Sequence, residues 1–470
     1  MKLNITRQSS PPTSAGRRAV DYVVDMRRGL QTQRRLLVLG LSLAICAAAL
    51  ACLAPTGGAR QGVGAHLAAT APLGGVNVVS VGPSALSIAD KTIQEAQALH
   101  AAVIRTDLPW SVIEPQEGQF ETRSEAFADR LVSDAAAAGI RVIMTVDSTP
   151  CWASSAPAPI LHTCSPSRSS AANAWPPANP ATYASFVADL ATRYGTRLAA
   201  IEVWNEPDQA NQLYFAGPEK AVRYAAILRA AYPAIKQANP QVPVLAGSLV
   251  GSNGIFLRAL YAAGIKGYYD GLAVHYYTVT LADLRAIHAV QLANGDTTPL
   301  WLDEFGFSNC WPRQKLQQDQ PCVTSQTQAG NLVALVRQLA GTPYVAAEAV
   351  YKLQDGGPEN FGLLTAGGAR KPAFNALAKV FASPFGSVSK VTLHLRKAGG
   401  HVVASGSGPV GDYLKLEVYK GSVARFYAEF SLNRFNEYSI SLPGVLGTHG
   451  LRVRVYQYWA GAASAVQKRI

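Results

Sequence analysis

The chain has 470 residues, of which 49% are hydrophobic; this excludes a mainly disordered protein and allows one large domain plus a smaller one. Its formal net charge of +12 suggests nucleic acid only until the charge is located. Lys2, Arg7, Arg17, Arg18, Arg27, Arg28, Arg34 and Arg35 oppose only Asp21 and Asp25, so half of the excess belongs to the first 35 residues and no nucleic-acid partner is expected.

Residues 1–35 therefore read as a basic tail, and residues 36–54, "LLVLGLSLAICAAALACLA", as a charge-free apolar run close to the ~20 residues a membrane-spanning helix needs. Positive charge stays cytoplasmic, which places everything after residue 54 outside a bacterial inner membrane, in the periplasm or beyond. The long tail favours an uncleaved anchor. Ala49-Leu50-Ala51 offers a signal-peptidase site, in which case the protein is secreted, and Cys52 matches a lipoprotein signal poorly. A buried core helix, the other reading of this run, has no amphipathic segments before it to pack on.

Residues 55–73 are small and Gly/Ala-rich and read as a linker. From residue 74 to 384, β-branched runs alternate with Ala/Leu-rich amphipathic ones. The strands are "VNVVSV", "AAVIRTD", "RVIMTVD", "AAIEVWNE", "PVLAGS", "LAVHYY", "PLWLDEF" and "AAEAVYKL"; the helices include "RSEAFADRLVSDAAAAG" and "ATYASFVADLATRYG", each closed by glycine. Repeated strand-then-helix units over this length predict a (β/α)8 barrel. An open doubly wound sheet is the runner-up, but "SVGPSALS" after the first strand is no phosphate-binding turn, and no cofactor is expected. From 385 to 470 the pattern turns to period two, in "HVVASGSG", "YLKLEVYKG" and "LRVRVYQYW" among others, and predicts a small β-sandwich.

Four cysteines form two local pairs, Cys151 with Cys164 and Cys310 with Cys322, which an exported protein would oxidise. Zinc is the rival reading, yet neither pair has C-x-x-C spacing and His162 has no partner, so no metal is expected.

In such a barrel the chemistry sits where strands end. The ends present Arg105, Asp107 and Trp110 on strand two; Asp147, Thr149 and Trp152 on strand three; Asn205 and Glu206 on four; His275 and Tyr277 on six; Glu304 on seven; and Tyr351 on eight. Glu206 and Glu304 close strands on opposite sides of an eight-membered ring, so they can flank one bond as glycosidic cleavage requires. Either glutamate alone reads equally as a strand-end salt bridge. Trp204 and Pro207 suggest an apolar surround that would keep Glu206 protonated.

"WNEP" on strand four, "LDEFGFS" on strand seven, "HYY" on strand six and "IRTDLPWSVIEPQEGQF" after strand two resemble glycoside hydrolase clan A. Within it, residues 75–385 are most similar to family 39 xylosidase-like enzymes and to endoglycosidases of bacterial exopolysaccharides. The resemblance implies a retaining β-glycosidase acting on a poly- or oligosaccharide, with Glu206 as acid/base, Glu304 as nucleophile and carboxyl groups ~5–5.5 Å apart. It implies that Asn205 holds the sugar 2-hydroxyl, that Arg105 and Tyr277 keep Glu304 ionised and oriented, and that His275 contacts substrate. The alternative for His275 is a bond to a backbone carbonyl. Trp110, Trp152 and Tyr351 could stack on sugar rings or merely pack the rim. Much of the clan has Trp where Tyr351 and Lys352 stand, which leaves the sugar open. Two other functions share these features: a non-catalytic glycan-binding subunit of a polysaccharide assembly or export system, and a transglycosylase.

Overall fold

A computed structural model describes residues 72–278, 280–309, 322–356, 360–382, 391–408, 413–432, 437–457 and 464–470. Eight parallel strands close into a barrel in chain order: β1 Leu73–Asn77, β2 Val103–Pro109, β3 Arg141–Asp147, β4 Leu198–Val203, β5 Val244–Leu249, β6 Gly271–His275, β7 Leu300–Phe305 and β8 Val345–Val350. The inner ends of the strands are plugged by Val103, Ile143, Leu245, Ala273, Trp301 and Ala347, small residues leaving room for one indole. Both faces of β4 to β7 are buried, because helices cover the outside of the barrel.

β1 lies three residues before the predicted start of its β-branched run. Glycine is the reason: a Cβ at Gly74 would stand 2.6 Å from the Phe381 ring, and one at Gly75 2.3 Å from the Val103 carbonyl oxygen. The chain uses "LGGVN" because only bare backbone fits there.

Capping side chains set several helix starts. Glu121 accepts from Ser124 N at 2.7 Å before helix Thr122–Ala137, Asn179 from Ala181 N at 3.0 Å before Pro180–Tyr194, and Thr324 from Thr327 N at 3.1 Å before Ser325–Ala340. Two helix tyrosines hold the ends of the strands that carry the site. Tyr183 donates to the Val146 carbonyl at 2.7 Å, and Tyr224 to the Val203 carbonyl at 2.8 Å while accepting from Gly247 N at 2.7 Å.

The C-terminal part forms two antiparallel sheets. One holds β9 His394–Ala398, β10 His401–Ser407 and β13 Glu437–Ser441; the other holds β11 Tyr413–Lys420, β12 Val423–Ser431, β14 Leu451–Gln457 and β15 Val466–Arg469. Val402, Ala404 and Tyr438 from the first share one core with Leu414, Leu416, Val453 and Val455 from the second, so the sheets face each other as a sandwich.

Among the described residues no helix is long and apolar enough to cross a membrane. The basic tail, the apolar run 36–54 and most of the linker lie outside the described residues. Cys151 and Cys164 form a disulfide with Cα atoms 5.8 Å apart. Cys322 is disulfide-bonded, but its predicted partner Cys310 lies outside the described residues.

Candidate active site

Above the apolar plug, the inward positions of the strands turn polar. Arg105 is the hub. Its Nε donates to Glu202 Oε2 at 2.9 Å, Nη1 to Asn77 Oδ1 at 3.0 Å and to Glu304 Oε2 at 3.4 Å, and Nη2 to Asn205 Oδ1 at 2.9 Å. Asp303 Oδ2 lies 3.3 Å from the same guanidinium, and Thr145 donates to Glu202 Oε2 at 2.7 Å. Burial would raise the Glu202 carboxyl, but the charge and bonds of Arg105 dominate and bring it down to about 2. Burial and the neighbouring Glu202 charge push Asp303 far the other way.

β4 ends in a turn that aims two side chains into this layer. Trp204 and Glu206 both have left-handed backbone, with φ of 71° and 45°, a sparsely populated region for residues with side chains. Trp204 points outward: it is fully buried, donates to the Tyr214 carbonyl at 2.9 Å and packs on Phe215 and Tyr183. The expected apolar surround of Glu206 is therefore corrected. Glu206 faces polar partners instead, His275 Nδ1 at 2.8 Å on Oε1 and the Gln209 amide on Oε2. Asn205 Oδ1 accepts from Arg105 and from Ser248 Oγ at 3.3 Å, which turns its amide nitrogen away from them.

Glu304, at the end of β7, accepts from the Tyr277 hydroxyl on Oε1. Its Oε2 faces Arg105 at 3.4 Å and His275 Nδ1 at 3.6 Å. Carboxylate oxygens of Glu206 and Glu304 and a His275 nitrogen all lie within 4.8 Å of one another. His275 is thus a buried wedge between the two glutamates that also lines the cavity beside Glu206. Burial disfavours its cation, yet Glu304, the Glu206 bond and Asp303 outweigh this and lift the imidazole to about 9. Burial and Glu206 raise Glu304 above the ordinary carboxylate range, opposed first by His275 and only then by Arg105 and Tyr277. Arg105 and Tyr277 both stand against Glu304 and favour its anion, though the shortest bonds of Arg105 go to Glu202, Asn205 and Asn77.

The remaining predicted residues divide. Trp110 is fully buried, donating to Glu114 Oε2 at 2.7 Å and packing on Phe186 and Tyr183, so it offers no face to a sugar. Trp152 stands edge-on to Trp110 and donates to the Glu114 carbonyl at 3.1 Å. Thr149 is buried, whereas Asp107 and Asp147 lie half-buried at the rim, where burial and Asp107 push Asp147 up to about 7. Tyr351 packs edge-on against Tyr277 and Phe361, and Lys352 folds back to the Gly356 carbonyl at 3.0 Å.

Sequence reading missed Glu202, Asp303, Asn77 and Gln209. A signal existed for the first two: each is charged and two residues beyond an inward plug residue, Ala200 or Trp301, so the strand period turns it into the barrel. Asn77 stands inside the run "VNVVSV", which continues past it in the sequence, and Gln209 belongs to a loop whose path no periodicity reveals. Glu202, His275 and Asp303, like Glu206, His275 and Glu304, bring donor atoms close enough to hold a cation. In the first group the Arg105 guanidinium already stands against both carboxyls, and in the second His275 itself carries the charge.

Two carboxyl groups at the ends of β4 and β7, with His275 between them and Glu206 lining a cavity of about 630 Å³, fit a hydrolytic barrel enzyme for a bond flanked by two acids. Comparison makes the class specific. The family model described as glycosyl hydrolase catalytic core matches residues 172–371, which include both glutamates, and the model described as beta-galactosidase matches residues 85–242. The chain is a glycoside hydrolase. Among solved structures it is similar to a family 39 glycoside hydrolase from Bacteroides cellulosilyticus WH2 (18% identity over 82% of this chain and 80% of that one, TM-score 0.52). It is also similar to a monomeric beta-xylosidase from Caulobacter crescentus CB15 (15% identity over 83% of this chain and 96% of that one, TM-score 0.50). At these identities the likeness is one of fold. No curated protein matches the sequence.

Proposed function

We propose that the protein is a retaining β-glycosidase in which Glu304 is the nucleophile and Glu206 the general acid/base. The approach of the two carboxylates within 4.8 Å carries this reading. Retaining enzymes need about 5–5.5 Å between carboxyl groups, while inverting ones seat a water across about 6.5–9.5 Å. Glu304 Oε2 attacks the anomeric carbon as the bond to the leaving oxygen breaks, and Glu206 gives that oxygen its proton. Water then attacks the glycosyl–Glu304 ester, Glu206 takes the water's proton, and Glu304 leaves as the carboxylate. Tyr277 orients Glu304 throughout. The Asn205 amide, directed away from Arg105, is placed for the sugar 2-hydroxyl.

The substrate in this reading is a polysaccharide cut internally. Support comes from the cavity beside Glu206, lined by Gln209, Asn211, Ser252, Tyr277 and Asp283, which shares Gln209 and Ala210 with a second of about 410 Å³. That leaves space for several sugar units beyond the bond. We further propose that residues 36–54 tether the enzyme to the inner membrane with the barrel outside, for which the Cys151–Cys164 disulfide is supporting chemistry.

The test is an activated 2-fluoro β-glycoside, chosen after screening residues 60–470 on a panel of β-glycans. Labelling of Glu304 with retention at the anomeric centre by NMR is expected. Labelling elsewhere, or inversion, would overturn the assignment.

A further inference from the structure

The outer face of the sandwich sheet β12–β11–β14–β15 carries a charge pattern that its own folding does not call for. Leu414, Leu416, Val418, Val453 and Val455 belong to the sandwich core, so their strand neighbours lie on the other face. These are Lys415, Glu417 and Tyr419 on β11, Arg452, Arg454 and Tyr456 on β14 and, by register, Tyr427 and Glu429 on β12 and Arg469 on β15. Arg425, where the pairing of β12 shifts register, joins Lys415, Glu417 and Tyr427 around a hollow of about 450 Å³. Cations outnumber acids on this face.

Its central acid is already occupied. Glu417 Oε2 accepts from the Tyr419 hydroxyl at 2.8 Å and Oε1 from the Tyr456 hydroxyl at 2.8 Å, while Lys415 and Arg454 stand off at 3.7 and 3.9 Å. Those bonds fix two rings, and a guanidinium lies over each, Arg452 4.4 Å from the centre of Tyr419 and Arg454 4.9 Å from that of Tyr456. Arg452 also pairs directly with Arg469 across the ladder, a like-charge pair that destabilises a sheet. Among the described residues neither arginine is ion-paired, and Arg452 Nε has no acceptor. Tyr427 is 67% exposed, with the Lys415 ammonium 5.6 Å from its ring.

A guanidinium laid on an aromatic ring is held in one plane, and its fork of N–H donors is set for a carboxylate arriving from outside. An exposed tyrosine ring offers a platform to the apolar face of a sugar. The chain is a glycoside hydrolase, so carbohydrate is its partner, and the charge of this face selects which carbohydrate. We infer that the sheet β12–β11–β14–β15 binds a polysaccharide bearing carboxylate groups, with Arg452, Arg454 and Arg469 on the carboxylates and Tyr427 under a sugar ring. This rests on the polysaccharide reading above and adds to it that uronate units are held on the sandwich, apart from the bond that is cut.

The experiment uses the full chain and polygalacturonate, an α-linked polyuronate that a β-glycosidase leaves uncut. Arginine modification by phenylglyoxal is followed peptide by peptide by mass spectrometry, which separates this face from the arginines of the basic tail. At about ten times the dissociation constant, Arg452, Arg454 and Arg469 should react about tenfold more slowly, and a neutral β-glucan should leave their rates unchanged. The concentration that half-protects Arg454 should rise about tenfold in Arg452→Gln and about threefold in Tyr427→Ala, with hydrolysis of an aryl β-glycoside unchanged in both. Protection confined to the tail, or an unmoved half-protection point in folded Arg452→Gln, overturns the inference. So does protection of this face by phosphatidylglycerol vesicles and not by polygalacturonate. If the face is protected as expected but the full chain cleaves no β-glycan, the glycosidase reading has failed and this one stands.

Discussion

At the base of the barrel Val103, Ile143, Ala200, Ala273 and Trp301 meet as an apolar plug. Two residues further along the same five strands, Arg105, Thr145, Glu202, His275 and Asp303 meet as a charged layer. The plug is held by shape and burial, so each side chain contributes separately and a small loss of volume is absorbed locally. In the charged layer each group is tolerable only because of the others. Arg105 is the partner of Glu202 and Asp303 at once, and His275 is the cation beside Glu206 and Glu304. The difference separates a part of the core that supports folding from one that prepares chemistry at some expense of stability.

The sharpest way to break this contrast is Arg105→Met. It leaves Glu202 and Asp303 buried without their cation and should destabilise the fold by about 3–5 kcal/mol in urea unfolding. A loss below about 1 kcal/mol would mean the layer behaves like the plug.

Next comes pH. The folded imidazole of His275 titrates near 9, above its unfolded value of 6.5. Its contribution is complete below 6.5, declines as pH rises through that window and is gone above about 9, with a slope of up to ~1.4 kcal/mol per pH unit. His275→Asn should lack that slope; equal slopes in the two proteins would contradict the wedge.

Glu348 gives a smaller test from the outer face of β8. Burial alone raises its carboxyl far above the usual range, and Oε2 has no hydrogen-bond partner among the described residues. The folded state therefore keeps the proton that the unfolded chain releases, and stability falls as pH rises above the ordinary glutamate value. Glu348→Gln should be the more stable protein at pH 8 and lose that advantage near pH 4, as read by thermal unfolding. Smallest of all, Ile143→Val in the plug should cost about 0.5–1.5 kcal/mol, with no change in pH dependence.

The barrel was legible because its strands are buried on both faces and so read as continuous apolar runs, and the sandwich because its strands alternate. Glu206 and Glu304 were legible as carboxylates closing such runs. The environment of Glu206 was not, because adjacency in "WNEP" suggested contact where the backbone turns Trp204 and Glu206 to opposite sides. The place of His275 at the mouth was legible, but its position between the two glutamates was not, since it depends on how β6 and β7 are staggered. For Trp110 an indole at a strand end leaves stacking and rim packing equally open; the helix carrying Tyr183 and Phe186 covers it and decides for packing.

The two left-handed residues around Asn205 also bear on how this site can change over time. Side chains other than Gly, Asn and Asp meet a penalty in that region wherever they are placed. Glycine at 204 would relax the backbone but vacate the space an indole now fills, and aspartate at 206 would suit the backbone but withdraw the carboxylate by one methylene. Each replacement that eases one constraint breaches another. Variation in a lineage of such enzymes should therefore collect on the neighbouring loop from Asp208 to Tyr214, which changes what the mouth admits, while the turn itself stays fixed.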